Sequence, residues 1–196
     1  QGEFTLDVTK SMTNNYWPEG TEFAFKVTDN GTEVAGSPVT LNKDNVSTSF
    51  TFNYAKEGDH KYEVTELDKA GNEVSASTSN GDGITYADLQ TIDASFVDNG
   101  NGVLDAKVNG EVRTADTMVF ENSYDAQGEF TLTGAMSING AIGEGQYAVT
   151  ITRTDVTPNV TKEVAVGTDG KWSFPTEDGF TKFTLEDVRN NAKPVY

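Results

Sequence analysis

Apolar residues in this chain recur at every second position in short runs, and long stretches at helical spacing are absent. That spacing commits the chain to strands with one face in a core and the other in water. In the first run, Glu3–Lys10, the residues Phe4, Leu6 and Val8 share a face, and Lys10 falls on that same face. Burying an unpaired ammonium is costly, so a lysine in the apolar phase needs a partner or must stay neutral. Two further strands carry the same anomaly. Tyr62 and Val64 are in phase with Glu66, and Met118, Phe120 and Tyr124 are in phase with Asn122. Three strands thus each send one polar group, an amine, a carboxyl and a carboxamide, towards what should be a single core.

Along the chain, further strands are expected at Phe23–Val27, Val39–Leu41, Phe50–Tyr54, His60–Glu66, Ile92–Phe96, Leu104–Val108 and Met118–Tyr124. They are separated by turn chemistry: Asn14–Gly20, Asp29-Asn30-Gly31, Lys56–Asp59, Ala70-Gly71-Asn72, Ser79–Gly83, Asp98–Gly102 and Asn109-Gly110. Roughly eight or nine short strands in the first 125 residues imply an all-β fold, an antiparallel Ig-like (Greek-key) β-sandwich.

The chain then repeats itself. Gln1–Leu6 recurs word for word as Gln127–Leu132, directly after a closing strand. An identical hexapeptide at that place marks a second copy, so two tandem domains are expected, 1–125 and 126–196, closely coupled through a very short linker. Strands of the second copy are read at Tyr147–Ile151, Val164–Val166 and Trp172–Phe174, and Phe183–Val188 suits a strand or a short helical turn. Measured against the first copy, the second is incomplete or truncated: it stops before a counterpart of Tyr62–Glu66. It carries Met136 where the first has Lys10. No bond of the kind described next is expected within it. A sheet edge should be left unpaired there, to be completed by residues downstream or by strands of a neighbouring chain. No signal peptide opens the chain and no sorting motif closes it, which reads as a mature fragment or an excised piece.

The chemistry open to the three polar groups is a covalent cross-link. A lysine amine attacks an asparagine carboxamide, ammonia leaves, and an amide joins two strands. Desolvation keeps the amine neutral and nucleophilic, a buried carboxyl with a raised pKa moves protons, and a rigid core holds the reacting atoms in place. Lys10 suits the nucleophile, Asn122 the electrophile and Glu66 the catalytic proton shuttle. Phe25, Phe52, Tyr62 and Phe120 are candidates for a dry wall around them. The plainer reading is a structural Lys–Glu ion pair beside a capping asparagine. Glu63 and Glu121 are out of phase and expected in solvent.

Other functions find less support. With 31 acidic against 14 basic side chains and a net charge of −17, the chain lacks the basic patches that nucleic acid or anionic membrane requires. Its apolar runs are too short to insert in a membrane. Cysteine is absent, which removes disulfides, thiolate chemistry and Cys-type metal sites. The one histidine, His60, sits in phase on a strand, where packing is its expected role, and no Ser/His/Asp, phosphate-loop or metal constellation appears. The chain is therefore not read as an enzyme, and no cofactor or metal is implied. Asp98–Gly102 has oxygen donors but neither the spacing nor the terminal glutamate of an EF-hand, so it reads as a hairpin turn. The main alternative is a ligand-binding adhesin or carbohydrate-binding sandwich, with Tyr16 and Trp17 as a sugar platform.

One family combines these features. Leu6–Lys10, Glu22–Val27, Gly58–Glu66, Gly83–Tyr86 and Val119–Tyr124 follow one another as the matching segments do in Gram-positive pilin and surface-protein domains that carry a self-made isopeptide bond. The chain most resembles the streptococcal backbone-pilin (T-antigen) type, over most of residues 1–125. The resemblance implies that Lys10 joins Asn122 with Glu66 assisting. It further implies a structural shaft or stalk domain, at the extracellular, cell-wall-anchored surface of a Gram-positive bacterium. Its partners would be neighbouring domains or subunits of the same surface protein, with a host ligand as a further candidate. Thr181–Val188 resembles the segment that precedes the glutamate strand, in keeping with a second partial copy.

Overall fold

The computed structural model of the chain describes residues 1–78, 81–190 and 193–196. It divides into two compact units, Gln1–Tyr124 and Asp125–Tyr196. The strands of the first unit are β1 (Gly2–Met12), β2 (Glu22–Asp29), β3 (Thr32–Glu33), β4 (Val39–Asn42), β5 (Ser47–Tyr54), β6 (Gly58–Leu67), β7 (Ile84–Thr85), β8 (Gln90–Asp98), β9 (Leu104–Val108), β10 (Glu111–Val112) and β11 (Ala115–Tyr124).

They form a β-sandwich. One sheet runs β5-β1-β11-β7, and the other runs β10-β9-β8-β6-β2-β3, with β4 also paired to β2. The chain crosses repeatedly between the two, and among the described residues all strand pairings of this unit but one are antiparallel. The exception is central to the first sheet: β1 and β11, the first and last strands, run parallel, with Lys10 opposite Phe120 and Met12 opposite Asn122.

The alternation in sequence becomes alternation in burial. Along β1, Phe4, Leu6, Val8, Lys10 and Met12 are buried while the residues between them reach the outer face. The core between the sheets adds Phe23, Phe25 and Val27 from β2, Tyr62 and Val64 from β6, Ala94 and Phe96 from β8, and Met118 and Phe120 from β11. The turns follow the expected chemistry. Asn109 and Gly110 both adopt positive φ (52° and 82°), which lets β9 and β10 close with the twist of a two-residue hairpin. At Asp98–Gly102, the side chains of Asp98 and Asn99 accept backbone N–H groups of Gly100 and Asn101, so their oxygens are occupied in holding the turn. Of the loop expected at Ser79–Gly83, Ser79 and Asn80 lie outside the described residues.

Among the described residues of the first unit, three strands went unread in the sequence: β3, β7 and β10. Each is two residues long, too short to display any alternation. The two loop aromatics pack onto their own unit. Tyr16 stacks on Tyr124 and Trp17 sets its edge against Phe23, at ring-centre distances of 5.7 Å in both cases.

The second unit consists of β12 (Gln127–Glu129), β13 (Thr133–Ala135), β14 (Ala148–Arg153), β15 (Val160–Ala165), β16 (Lys171–Ser173), β17 (Lys182–Thr184) and α1 (Leu185–Arg189). These strands pair as β12–β17, β13–β16 and β14–β15. Phe183–Val188 resolves into both of its expected alternatives, the end of a strand and then a helical turn. Thr184 caps that turn by accepting the N–H of Asp187, whose carboxylate accepts the N–H of Thr184 in return.

The repeated hexapeptide lies in two different settings. In β1, Phe4 is buried, and a Cβ added to Gly2 would come within 2.8 Å of Leu104 and Phe96. In the second unit Phe130 is substantially exposed, and nothing lies near Gly128. The buried centre of the second unit is formed instead by Val166, Phe174 and Phe180. Beside it lies the buried guanidinium of Arg153, which makes a two-pronged bond to Asp155 (Nε to Oδ1 2.9 Å, Nη2 to Oδ2 2.8 Å) beneath the ring of Phe183. Hydrogen bonds from Arg153 hold the Asp155 carboxyl well below the usual carboxylate range.

Candidate functional site

Lys10, Glu66 and Asn122 meet between the two sheets. Lys10 and Asn122 come from the neighbouring parallel strands β1 and β11, and Glu66 comes from β6 in the facing sheet. The phase of each strand delivers its polar side chain inward, and all three are buried. Lys10 Nζ lies 3.3 Å from Glu66 Oε1 and donates to the carbonyl oxygen of Phe120 at 3.1 Å. The carboxamide of Asn122 donates from Nδ2 to the same Glu66 Oε1 at 3.0 Å. One carboxyl oxygen therefore serves both nitrogen atoms.

The other side of the carboxamide is also engaged. The backbone N–H of Ala87 donates to Asn122 Oδ1 at 2.8 Å and, more weakly, to Glu66 Oε2 at 3.3 Å. No buried side-chain nitrogen or oxygen among the described residues lacks a hydrogen-bond partner, so the polar cluster is fully satisfied within an apolar core.

The wall around the cluster is aromatic, but not in the expected composition. Phe25 stands opposite Glu66 across β2–β6 and meets Phe120 edge-on at 5.1 Å. Phe23, read from the sequence as core only, places its ring centre 4.5 Å from Lys10 Nζ. Phe52 and Tyr62 do not line the site. They pack against each other at a tilt, and Tyr62 stacks with Phe4, near the opposite end of β1. Strand rise explains the correction, because six residues from Phe4 to Lys10 span roughly 20 Å. Glu121 is exposed, and Glu63 points to the outer face, where it pairs with Lys61 at 2.6 Å. His60 has a packing role at that far end: its Nδ1 meets Asp29 at 2.9 Å, and Tyr54 donates to the same carboxylate at 2.7 Å.

Burial sets the electrostatics. Desolvation lowers the Lys10 pKa to about 8, against the opposing pull of the Glu66 charge. Desolvation also raises the Glu66 pKa above the ordinary carboxylate value, opposed by Lys10, Asn122 and the Ala87 N–H. Both shifts favour the uncharged forms, a neutral amine beside a protonated carboxyl. An uncharged amine is a nucleophile, and a protonated carboxyl within reach of a carboxamide nitrogen is an acid.

The family comparison decides the class. The model of the FctA family, described as a Spy0128-like isopeptide containing domain, matches residues 6–125. The chain belongs to this family. It is a pilin-like structural domain, of a class that is not enzymatic. Solved structures similar to this chain include the major pilin from Streptococcus pyogenes, at 17% identity over 93% of this chain and 76% of that one, with a TM-score of 0.35. A second Streptococcus pyogenes major pilin matches at 17% identity over 92% and 76%, with a TM-score of 0.33. A streptococcal ancillary pilin matches at 13% over 93% and 52%, with a TM-score of 0.32. No curated protein matches. The family match spans all three buried polar residues and ends at Asp125, next to the boundary between the two units.

Proposed function

We propose that this FctA-family domain is a load-bearing segment of a bacterial surface polymer, a pilus shaft or adhesin stalk, tied by an amide that it forms between Lys10 and Asn122. The observation that carries this reading is the convergence of three buried polar groups from three strands on one carboxyl oxygen, Glu66 Oε1.

The bond forms when the neutral Lys10 Nζ attacks Asn122 Cγ. Glu66 gives its proton to Nδ2, the C–N bond breaks and ammonia departs. Nζ then returns a proton to Glu66, leaving an amide and a carboxyl ready in its original state. The domain acts once on itself, so it turns over no external substrate.

The parallel pairing of β1 and β11 gives the bond its mechanical meaning. Force entering at the N-terminus of β1 and leaving beyond β11 shears the two strands lengthwise. With Lys10 joined to Asn122, that force passes through covalent bonds and bypasses every strand between them. An amide also withstands reducing and oxidising surroundings alike. We place the domain at the extracellular surface of a Gram-positive bacterium, anchored to the cell wall through other parts of the assembly, with neighbouring domains or subunits of the same surface protein as its partners. The second unit, 126–196 in our division of the chain, is a repeat that we read as forming no such bond with its first strand, since Met136 takes the place of the lysine.

Single-molecule pulling of the wild type and Lys10→Ala tests the mechanical role. The first unit of the wild type should give no unfolding extension, and the variant should release the length between β1 and β11. Equal extensions would refute it.

A further inference from the structure

We propose that the backbone N–H of Ala87 is a catalytic group of the cross-linking reaction, acting as the donor that orients the Asn122 carboxamide and stabilises the charge developing on its oxygen. The inference rests on the reading above, in which Lys10 displaces ammonia from Asn122.

A backbone N–H can only donate. Placed 2.8 Å from the Asn122 side chain, it requires an oxygen opposite it, and so settles which end of the carboxamide faces which way. Oδ1 turns to Ala87, and Nδ2, the nitrogen that must leave, turns to Glu66 Oε1. The flipped carboxamide would set two donors against each other at Ala87. The N–H therefore delivers the leaving group to the acid.

The same N–H is aimed where charge accumulates. When the Lys10 electron pair adds to Cγ, the C=O electron pair moves onto Oδ1. A fixed donor in a dry site stabilises that oxyanion without having to reorganise. The electron pair then returns to remake C=O as the Cγ–Nδ2 bond breaks, and ammonia leaves with the proton from Glu66. Labour is divided: Glu66 handles protons and Ala87 handles charge.

The donor is built into the fold. Thr85 and Ile84 pair with Ser123 and Tyr124, immediately beyond Asn122. Tyr86 is buried with its ring edge towards Phe23, the ring that also covers Lys10 Nζ. Its hydroxyl donates to Asp82 Oδ2 at 2.8 Å, and Asp82 Oδ1 accepts the N–H of Ile84 at 3.0 Å. On the far side, Asp88 accepts the N–H of Ala76 at 2.9 Å. Ala87 is thus fixed from both directions. The segment Gly83–Tyr86, conspicuous in the sequence but without side-chain chemistry of its own, gains a role as the mount for this donor.

The test is a time course of bond formation in the full chain, made by cell-free translation, quenched in acid and weighed intact. In one chain the amide at position 87 is replaced by an ester, by incorporating lactic acid for alanine, which removes the N–H and keeps the side chain. In a second, Ala87→Pro removes the N–H by substitution. Circular dichroism and protease resistance report folding. The expected result is about a 10²- to 10³-fold slower loss of ammonia in the ester and proline chains than in the wild type. If proline prevents folding, the ester chain decides. A folded ester chain that links within about threefold of the wild-type rate overturns the proposal. A wild-type chain that never loses ammonia would instead refute the underlying bond, and with it this role.

Discussion

Lys10, Glu66 and Asn122 are residues that a core normally excludes, and each lies in the apolar phase of its strand. Burying a lone charge is prohibitive, so such a cluster persists only where its members neutralise and hydrogen-bond one another. In the proposed reading the amine and carboxyl share one proton. The reactive arrangement, neutral Lys10 beside protonated Glu66, has the same proton count as the ion pair and interconverts with it across 3.3 Å. Below the raised Glu66 pKa both groups are protonated and the amine cannot attack. Above the Lys10 value of about 8 the shared proton is lost and the acid is gone. The rate of bond formation should therefore be level between those limits and fall about tenfold per pH unit on either side. A rate that climbs steadily from pH 8 to pH 10 would contradict this, pointing to an amine acting without an acid. Glu66→Gln keeps the shape of the side chain but cannot accept and return a proton. The folded variant should retain its ammonia indefinitely by intact mass, and cross-linking at the wild-type rate would remove Glu66 from the mechanism.

At the scale of elements, the two strands that carry Lys10 and Asn122 are already neighbours, so the proposed bond would add a covalent tie to an existing hydrogen-bonded pair. It would close a loop of roughly 110 residues, for which chain entropy gives about 4–5 kcal/mol. Asn122→Ala loses that amount and also strips the Ala87 N–H of its main acceptor, at about 1–3 kcal/mol. Denaturant unfolding should show a loss of about 5–8 kcal/mol relative to the linked wild type; a loss under about 2 kcal/mol would mean that no long loop is closed. The long strands and the inward direction of all three polar groups were legible in the sequence, because a period of two fixes which face each residue takes. Parallel pairing of β1 with β11 was not, since alternation looks the same in either direction. Nor was Ala87, because a backbone donor leaves no trace in residue type. Phe23 was legible as core but not as part of the site, and Phe52 and Tyr62 were drawn into the wall only because phase carries no information about distance along a strand.

At the scale of the whole molecule, the same hexapeptide begins both units and serves them differently: fully buried at Phe4, partly exposed at Phe130. Among the described residues, the hydrogen bonds of the buried Arg153 in the second unit go to the Asp155 carboxylate and to the carbonyl oxygen of Gly179, an arrangement suited to a structural brace. We therefore assign the proposed cross-link to the first unit. The measurement that tests this most directly is the intact mass of the purified full chain, followed by peptide mapping. Our account predicts the loss of a single ammonia, about 17 Da, with Lys10 and Asn122 recovered in one branched peptide. An unshifted mass, or a branch at any other pair of residues, would contradict it.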